Sequence, residues 1–562
     1  MHRRRLLIIG LDGATWDILN PLIEEGYLPH LKNLKERGSS GILRSNFPPI
    51  TGSAWMSIAT GKNPGETGIF DFLVLEDKKK WKLRPITSWD YKRNGAIWDF
   101  LSNKGRKVGI VNYPMLYPPY EVNGVMISGL GASENGDIFY PKELKNKIRE
   151  VIGRHRIYVP FRRIKYNNPK VFVKDITNLI EYNYKLADYL IDETYDFFIF
   201  VISASDFLLH YGWKWWRGKS SRYCSVFKYI WKRIDRLIGL MIEKWGNGNV
   251  MIISDHGMGE LKEIFLINEW LEREGYLVKK FSYNKFGSFL SRRGVKLRLK
   301  FLFDVLVKVM PESVEYLLYN LFKRHRNRYG VVEDIDLRLS KAFALEHCGV
   351  GNIYINPDVE TMYEEVKSSI INKLKNFCRS ANKKLQLFTK ETLYRGKFLD
   401  RLPDILFMID DNMTEVVPFF SRGPIFRKPI ARNKTGSHRM EGVIIIKDLP
   451  AKDNSSINFN LFSLTDIFRI ICVLLDESPL SKNDKVTTEV DEECLGNLTS
   501  NMDEEKIVDN NHCIEKRLRE LGYDRGYDEI RVDGLSSWTK RARYVGASDI
   551  SEAPTYLALL VH

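Results

Sequence analysis

The sequence predicts an α/β fold in which a mostly parallel central sheet is covered by helices on both faces. Short apolar runs alternate with longer amphipathic stretches over most of the chain, a pattern typical of parallel strands joined by helical crossovers. The runs rich in Ile, Val and Phe are candidate buried strands, because a strand covered on both faces is apolar throughout. The candidate strands are Leu6–Leu11, Val108–Asn112, Phe197–Ile202 and Val250–Ser254, and the clearest amphipathic stretches are Ile18–Arg37 and Cys224–Lys244.

Acidic residues and histidines follow three of these strands. Since the carboxyl ends of parallel strands meet at one edge of a sheet, where ligands collect, we expect these side chains to lie together. They are Asp12 after the first strand, Asp206 and His210 after the third, and Asp255 and His256 after the fourth. The sequence therefore predicts a metal or catalytic cluster at this edge.

Three local patterns suggest metal ligands, although each one has an ordinary alternative. Asp206 and His210 are four positions apart, so a helical turn places both on one face, as a chance surface pair also would. Asp255 and His256 directly follow an apolar strand, where burial without a partner would be costly. His438 ends the turn Thr435-Gly436-Ser437-His438, which also suits an exposed loop. Carboxylate and imidazole together suit Zn²⁺, with Mn²⁺ as the alternative.

Thr51 is the candidate nucleophile. It follows two prolines and begins a predicted helix over Gly52–Ala59. The unpaired amides at a helix N-terminus favour an alkoxide and bind phosphate oxygens. The alternative is that Thr51 only caps the helix, a frequent role for threonine. Ser53 and Ser57 are weaker candidates for the nucleophile.

Composition sets the broad class. The 562 residues are 44% hydrophobic and 28% charged, as expected of a large globular protein. The net charge of +15 favours anionic partners, but a solvated basic surface explains it equally well. The six cysteines are scattered without a C-x-x-C pair, which favours a reducing, cytoplasmic location. We expect no transmembrane segment and no specific nucleic-acid binding, whereas peripheral membrane contact is compatible with the charge.

Changes in composition predict three regions. Residues 1–280 and 331–480 form a discontinuous catalytic core, and residues 281–330 form an inserted basic helical subdomain. Such a basic helix lies on a membrane surface, covers a cleft or simply packs one face on the body. Residues 481–562 are predicted to be a polar linker and a C-terminal helical tail.

Taken in order, the motifs resemble the type I phosphodiesterase/nucleotide pyrophosphatase family of the alkaline phosphatase superfamily. The resemblance spans roughly Leu6 to Pro479 and implies an alkaline-phosphatase-like fold. The motifs are Ile8–Gly13, Pro48–Trp55, Thr60–Gly65, Asn112–Met115, Asp206 with His210, Ser254–Gly257, Asn268–Leu271, Pro403-Asp404 and Gly436–His438. Each motif is modest alone, but the ordered set is specific.

The resemblance also implies a mechanism. It assigns one metal to Asp12, Thr51, Asp255 and His256, and the other to Asp206, His210 and His438. In this family the two divalent ions are usually zinc, and the threonine forms a covalent phospho-threonine intermediate. The implied activity is hydrolysis of a phosphodiester or pyrophosphate bond in a small-molecule or lipid-linked phosphoester.

The sequence departs from the family at two places. Thr67 stands where relatives commonly have histidine, and Phe70-Asp71-Phe72 lacks the phosphate-contacting asparagine of the eukaryotic enzymes, so nucleotide recognition is not implied. A phosphomonoesterase or phosphomutase of the same superfamily is the alternative enzyme. A protein that docks on anionic surfaces through Arg292–Lys300 and Lys323–Arg328 is the non-enzymatic alternative.

Overall fold

The computed structural model describes most of the first 477 residues. The described ranges are 3–78, 81–132, 136–157, 159, 169–218, 222–280, 335–345, 349–418, 420, 423–429, 434–447 and 462–477. The predicted basic insertion at 281–330 and the predicted tail at 481–562 lie outside them. Those two predictions, and the non-enzymatic role that depends on the insertion, therefore stay predictions.

A nine-stranded sheet forms the centre of the structure. Its strands are β1 (Leu6–Leu11), β2 (Ser39–Arg44), β5 (Val108–Tyr113), β6 (Gly124–Ser128), β7 (Phe139–Tyr140), β8 (Phe197–Ile202), β9 (Asn249–Ile253), β19 (Glu441–Ile446) and β20 (Phe462–Ser463). Their order across the sheet is β20-β2-β19-β9-β1-β8-β5-β6-β7. The run β9-β1-β8-β5-β6 is parallel, whereas β19 runs antiparallel to both β9 and β2. The predicted α/β fold with a mostly parallel sheet is confirmed.

Eleven described helices accompany this sheet in the chain. They are α1 (Trp16–Glu24), α2 (Pro29–Arg37), α3 (Thr51–Thr60), α4 (Pro64–Thr67), α5 (Ser88–Asn94), α6 (Ile97–Asn103), α7 (Leu144–Val151), α8 (Pro169–Leu190), α9 (Ala204–Arg217), α10 (Arg222–Trp245) and α14 (Asp466–Leu474). The predicted stretch Ile18–Arg37 is two helices, because Gly26 has a φ of 78° and Pro29 starts a new helix. None of the helices in the described ranges is long and apolar enough to span a bilayer.

A second sheet of seven strands packs around a separate apolar cluster. Its strands are β11 (Glu263–Leu266), β12 (Ala342–Phe343), β13 (Gly351–Ile355), β14 (Leu385–Thr389), β15 (Ile405–Ile409), β16 (Thr414–Val417) and β17 (Phe426–Arg427), with helices α11 (Ile267–Arg273), α12 (Tyr363–Ser380) and α13 (Lys390–Leu393) in the same part of the chain. The remaining described strands form two antiparallel two-stranded sheets: β3 (Leu73–Asp77) pairs with β4 (Lys82–Pro85), and β10 (Gly257–Glu260) pairs with β18 (Gly436–Arg439).

Two of the family-like motifs support this second sheet. The Asn268 side chain donates to the carbonyls of Ala344 (2.9 Å) and Pro418 (3.1 Å), which joins α11 to two loops. Asp404 is fully buried and pairs with Lys78 at 3.1 Å and with Lys390 at 2.6 Å. Burial alone would raise the pKa of Asp404, but the two ammonium groups outweigh that effect and hold it below its usual value.

His155 gives the fold a predicted sensitivity to acid. Burial lowers its pKa to about 3, and its Nδ1 lies 2.6 Å from the Tyr182 hydroxyl. The folded state therefore holds His155 neutral while an unfolded chain would bind a proton below about pH 6.5. The contribution of the neutral His155 to the free energy of unfolding is complete above that pH and is progressively lost between about pH 6.5 and pH 3, by an amount on the order of 5 kcal/mol.

Replacing His155 by phenylalanine should accordingly flatten the fall in Tm between pH 7 and pH 4, measured by circular dichroism. Tyr182→Phe is the matched control, because it removes the same contact while leaving the imidazole in place. An unchanged slope of Tm against pH in His155→Phe would contradict this role.

Candidate metal centre

The structure places Thr51 at the first position of α3, with Ile50 in the extended N-cap position. No side chain caps this helix, so the interpretation of Thr51 as a helix cap is wrong. Its hydroxyl instead lies 3.2 Å from Nε2 of His256, and the residue is only 3% exposed. The hydroxyl is therefore directed into the predicted cluster at the carboxyl edge of the central sheet.

The three predicted histidine ligands share one orientation. Each places Nδ1 within hydrogen-bond distance of a backbone carbonyl: His256 on Gly257 at 3.0 Å, His210 on Gly436 at 2.9 Å, and His438 on Pro49 at 2.7 Å. A carbonyl only accepts hydrogen bonds, so Nδ1 carries the proton and Nε2 of the neutral ring keeps a free lone pair. This is the arrangement in which backbone carbonyls orient metal-binding imidazoles.

The three carboxylates direct unsatisfied oxygens toward those nitrogens. Asp12 Oδ1, Asp206 Oδ1 and Asp255 Oδ2 are buried and have no hydrogen-bond partner among the described residues. Buried carboxylate oxygens without partners are rare in folded proteins because desolvation is costly. The donor set and its unsatisfied atoms therefore fit cations.

The ligand atoms form two overlapping groups. Asp12, Asp255 and His256 make one, and Asp206, His256 and His438 make the other, with the chosen atoms of each group within 4.8 Å of one another. The seventh predicted ligand adjoins the second group, because His210 Nε2 lies 2.9 Å from His438 Nε2 and 3.3 Å from Asp206 Oδ1. All seven predicted site residues thus lie in one contiguous centre.

Two glycines permit the close approaches that this centre requires. Gly13 has a φ of 69°, which turns the chain sharply after Asp12, and its N–H donates to Asp255 Oδ1 at 3.2 Å. At Gly436 a Cβ atom would lie 2.4 Å from the carbonyl of Leu209, so only glycine lets β18 approach α9 this closely. These contacts bring Asp255 beside Asp12, and His438 beside His210.

Burial and mutual repulsion shift the titration of the cluster. Burial, and then the charges of Asp255 and Asp206, raise the pKa of Asp12 well above its usual value. Burial also raises the pKa of Asp206 to about 7. Burial lowers the pKa of His210 and His438 far below the usual histidine value, so both rings are neutral at pH 7. Bound cations would relieve the repulsion between the carboxylates.

Sequence reasoning missed a layer of side chains behind His438. Asn412 donates to the Ser437 hydroxyl (3.0 Å) and to the His438 carbonyl (3.2 Å), and Ser437 donates to Glu415 at 2.8 Å. Arg439 donates to four carbonyls, those of Asn412, Ser437, His438 and Glu260. These contacts join separate parts of the chain, so no spacing in the sequence indicated them.

The structure also shows where the two departures from the family pattern lie. The Thr67 hydroxyl donates to the carbonyl of Asn63 at 3.3 Å and accepts from Ile69 N–H at 3.2 Å, within its own turn. Asp71 is buried, and its Oδ1 accepts from the Phe72 N–H at 2.6 Å. Its backbone carbonyl packs closely on Gly52, the residue after Thr51. The structure therefore puts a carboxylate-bearing segment next to the nucleophile candidate.

The chain is similar to one protein family in sequence and to several solved structures in fold. The family model for type I phosphodiesterase / nucleotide pyrophosphatase matches residues 6–417. No curated protein matches the sequence. Phosphonoacetate hydrolase from Sinorhizobium meliloti 1021, solved with phosphonoformate, has a TM-score of 0.51 at 15% identity, over 84% of this chain and 96% of its own. Murine ectonucleotide pyrophosphatase / phosphodiesterase 5, solved as an inactive variant with AMP, has a TM-score of 0.46 at 14% identity, over 85% of this chain and 97% of its own.

The family match contains six of the seven predicted site residues and ends before His438. The structure supplies the seventh, because β18 returns His438 to within 2.9 Å of His210. At its low identity, the likeness to phosphonoacetate hydrolase shows the fold alone. The family match extends over well more than half of the chain, and the protein therefore belongs to the type I phosphodiesterase/nucleotide pyrophosphatase family, hydrolases of the alkaline phosphatase superfamily.

Proposed function

We propose that the protein hydrolyses phosphodiester or pyrophosphate bonds with two divalent metal ions and Thr51 as the nucleophile. One observation carries this proposal: three carboxylate oxygens without hydrogen-bond partners face three Nε2 lone pairs, and a buried threonine hydroxyl lies beside them. Zinc is the first candidate for the ions because imidazole and carboxylate are its usual ligands, and manganese is the alternative.

The residues divide into two ligand sets. Asp12, Thr51, Asp255 and His256 would hold one ion, and Asp206, His210 and His438 the other. His256 lies close to both sets, but its Nε2 is 3.3 Å from Asp255 Oδ2 and 3.2 Å from Thr51 Oγ1, which favours the first. When bound, the ions would lower the pKa of the Thr51 hydroxyl and stabilise the charge on the phosphoryl oxygens.

The residues of the chain would position the reacting groups. Thr51 Oγ1 attacks phosphorus, the bond to the leaving oxygen breaks, and a phospho-threonine forms. A water molecule subsequently attacks that phosphorus and regenerates the threonine hydroxyl. The N–H groups of the first turn of α3 point toward this end of the helix and would donate to a phosphoryl oxygen. His438 fixes the loop before Thr51 through its contact with Pro49.

Two measurements on the metal-loaded full-length protein test this function. Acid quenching during turnover of a chromogenic phosphodiester, followed by peptide mass spectrometry, should find a phosphoryl group on Thr51. Initial rates should be higher for phosphodiesters and dinucleoside pyrophosphates than for 4-nitrophenyl phosphate. A clear preference for the monoester would favour the phosphomonoesterase instead, and a phosphoryl group on Ser53 or Ser57 would move the nucleophile.

A further inference from the structure

The turn between β15 and β16 has an unusual backbone conformation. Its residues Asp410, Asp411 and Asn412 have φ values of 51°, 52° and 63° in succession. Such left-handed conformations are unfavourable for most L-residues, and aspartate and asparagine tolerate them best after glycine. Several in a row persist only where the surrounding contacts determine them. The turn is therefore held in this shape by its contacts, and those of Asn412 extend to the candidate metal centre.

The side chain of Asn412 is buried against β18, the strand that carries His438. Its Nδ2 donates to the Ser437 hydroxyl at 3.0 Å and to the backbone carbonyl of His438 at 3.2 Å. A side-chain amide has two N–H groups, so both are used. The Ser437 hydroxyl donates its own proton to Glu415 at 2.8 Å, which leaves its oxygen to accept from Asn412. One side chain thus joins a turn of the second sheet to the segment of a predicted metal ligand.

Arg439 contacts the same backbone groups. Its guanidinium donates to the carbonyls of Asn412 and His438, both at 3.0 Å, and to that of Glu260 on β10 at 2.6 Å. The His438 carbonyl therefore accepts from two donors, which matches its two lone pairs. Arg439 is the next residue of β18, whereas Asn412 belongs to the second sheet. Asn412 consequently supplies the contact that fixes His438 relative to a separate part of the fold.

His438 must be fixed accurately because of its neighbour in the second ligand set. Its Nε2 lies 2.9 Å from Nε2 of His210, and each ring has its Nδ1 on a backbone carbonyl. Both Nε2 atoms therefore present lone pairs, which repel each other unless a cation binds both. Surrounding contacts must hold the two rings together. The carbonyl of Pro49 orients the His438 ring at 2.7 Å, and Asn412 holds its main chain.

We propose that Asn412 is a positioning residue for the ion bound by Asp206, His210 and His438. Its two hydrogen bonds hold the His438 main chain at the place from which Nε2 reaches the ion. The inference rests on the proposed function, because it takes these three side chains as ligands. Residues that orient metal ligands from behind typically contribute about 10- to 100-fold to metal affinity. Loss of these hydrogen bonds should therefore weaken one ion and leave the other bound.

Two substitutions at Asn412 in the full-length protein test the inference. Asn412→Gly keeps a residue that accepts positive φ and removes both hydrogen bonds. Asn412→Asp keeps the size of the side chain, but an ionised carboxylate cannot donate. Competition with a chromogenic zinc chelator should show one of the two zinc ions bound about 10- to 100-fold more weakly in each variant, and the other bound as in the parent. Phosphodiesterase activity lost at limiting zinc should return at excess zinc.

Asn352→Gly is the matched control, since Asn352 is another buried asparagine of the second sheet. Its side chain donates to the carbonyls of Leu345 at 3.3 Å and Val350 at 3.2 Å, far from any predicted ligand in the chain. This variant should have a lower melting temperature and yet bind both zinc ions as the parent protein does. The comparison separates a general loss of stability from a specific loss of metal affinity.

Two results would overturn the role of Asn412. One is parent-like binding of both ions by folded Asn412→Gly, and the other is an equal weakening of both ions. Zinc binding is measured without turnover, so this inference and the proposed function fail separately. If the parent binds two ions but hydrolyses no phosphodiester, the proposed function fails and the titration still decides the role of Asn412. A parent protein that binds no zinc would overturn both.

Discussion

Replacing Thr51 by alanine is expected to reduce kcat for a chromogenic phosphodiester by at least about 10³-fold, because the variant lacks the oxygen atom that we propose attacks phosphorus. The fold should survive, since the threonine side chain caps no helix. Removing this side chain is expected to leave the ends of α3 and the strands of the central sheet in place. The measurement is steady-state turnover of the metal-loaded variant, together with its circular dichroism spectrum and melting temperature.

Thr60→Ala is the matched control for that experiment. It removes a threonine hydroxyl from the last turn of the same helix, where the hydroxyl donates to the carbonyl of Met56 at 2.8 Å. We expect this variant to keep most of the activity. Thr51→Ser should retain part of the activity because a hydroxyl remains. Substantial turnover by Thr51→Ala would exclude the nucleophile assignment, whatever the metals do.

Removing divalent ions with a chelator should abolish hydrolysis and lower the melting temperature. Without cations, Asp12, Asp206 and Asp255 leave buried oxygens without partners, and binding of an ion to the folded state alone stabilises it by mass action. Activity should return on addition of Zn²⁺ or Mn²⁺, and the relative recovery identifies the better ion. Metal analysis by mass spectrometry measures the bound stoichiometry before and after treatment.

Replacing one proposed metal ligand tests whether the two ions bind to separate ligand sets. His438→Ala should lose one of the two ions while the set around Asp12 and Asp255 keeps the other. Lys262→Ala, a lysine outside both ligand sets, should bind the metals as the parent protein does. Full activity of a preparation shown to contain no divalent ion would refute metal dependence.

The central sheet and its ligands were predictable from the sequence because both depend on local patterns. The apolar runs Leu6–Leu11 and Phe197–Ile202 form strands with those same bounds, and the polar residues after them meet at one edge. Thr51 was recognisable as the start of a helix, although its lack of a capping role was not. The break between α1 and α2 was missed because their amphipathic periodicity continues across Gly26 and Pro29.

The second sheet was not predicted, since its strands are short and pair over long separations. Strand β12 has two residues, and β11 pairs with β16 in a register that joins Phe265 to Val416. Such pairs leave little periodicity in any one segment. The role of Glu415 was missed for the same reason. Its contact with the Ser437 hydroxyl at 2.8 Å depends on how the distant strands β16 and β18 come together, which residue spacing does not encode.

The antiparallel strand β19 also has a consequence for the order in which the protein is assembled. It lies between β2 and β9, both of which precede it in the chain, and it pairs with each. Until synthesis of the chain has passed β19, the edge of β9 is uncovered and β2 has no link to the rest of the sheet. His438 stands just before β19, at a separation of 389 residues from the carbonyl of Pro49 that orients it. One short piece of chain, made late in synthesis, therefore both completes the candidate metal centre and joins β2 to the rest of the sheet, and of the described strands only the edge strand β20 is added after it.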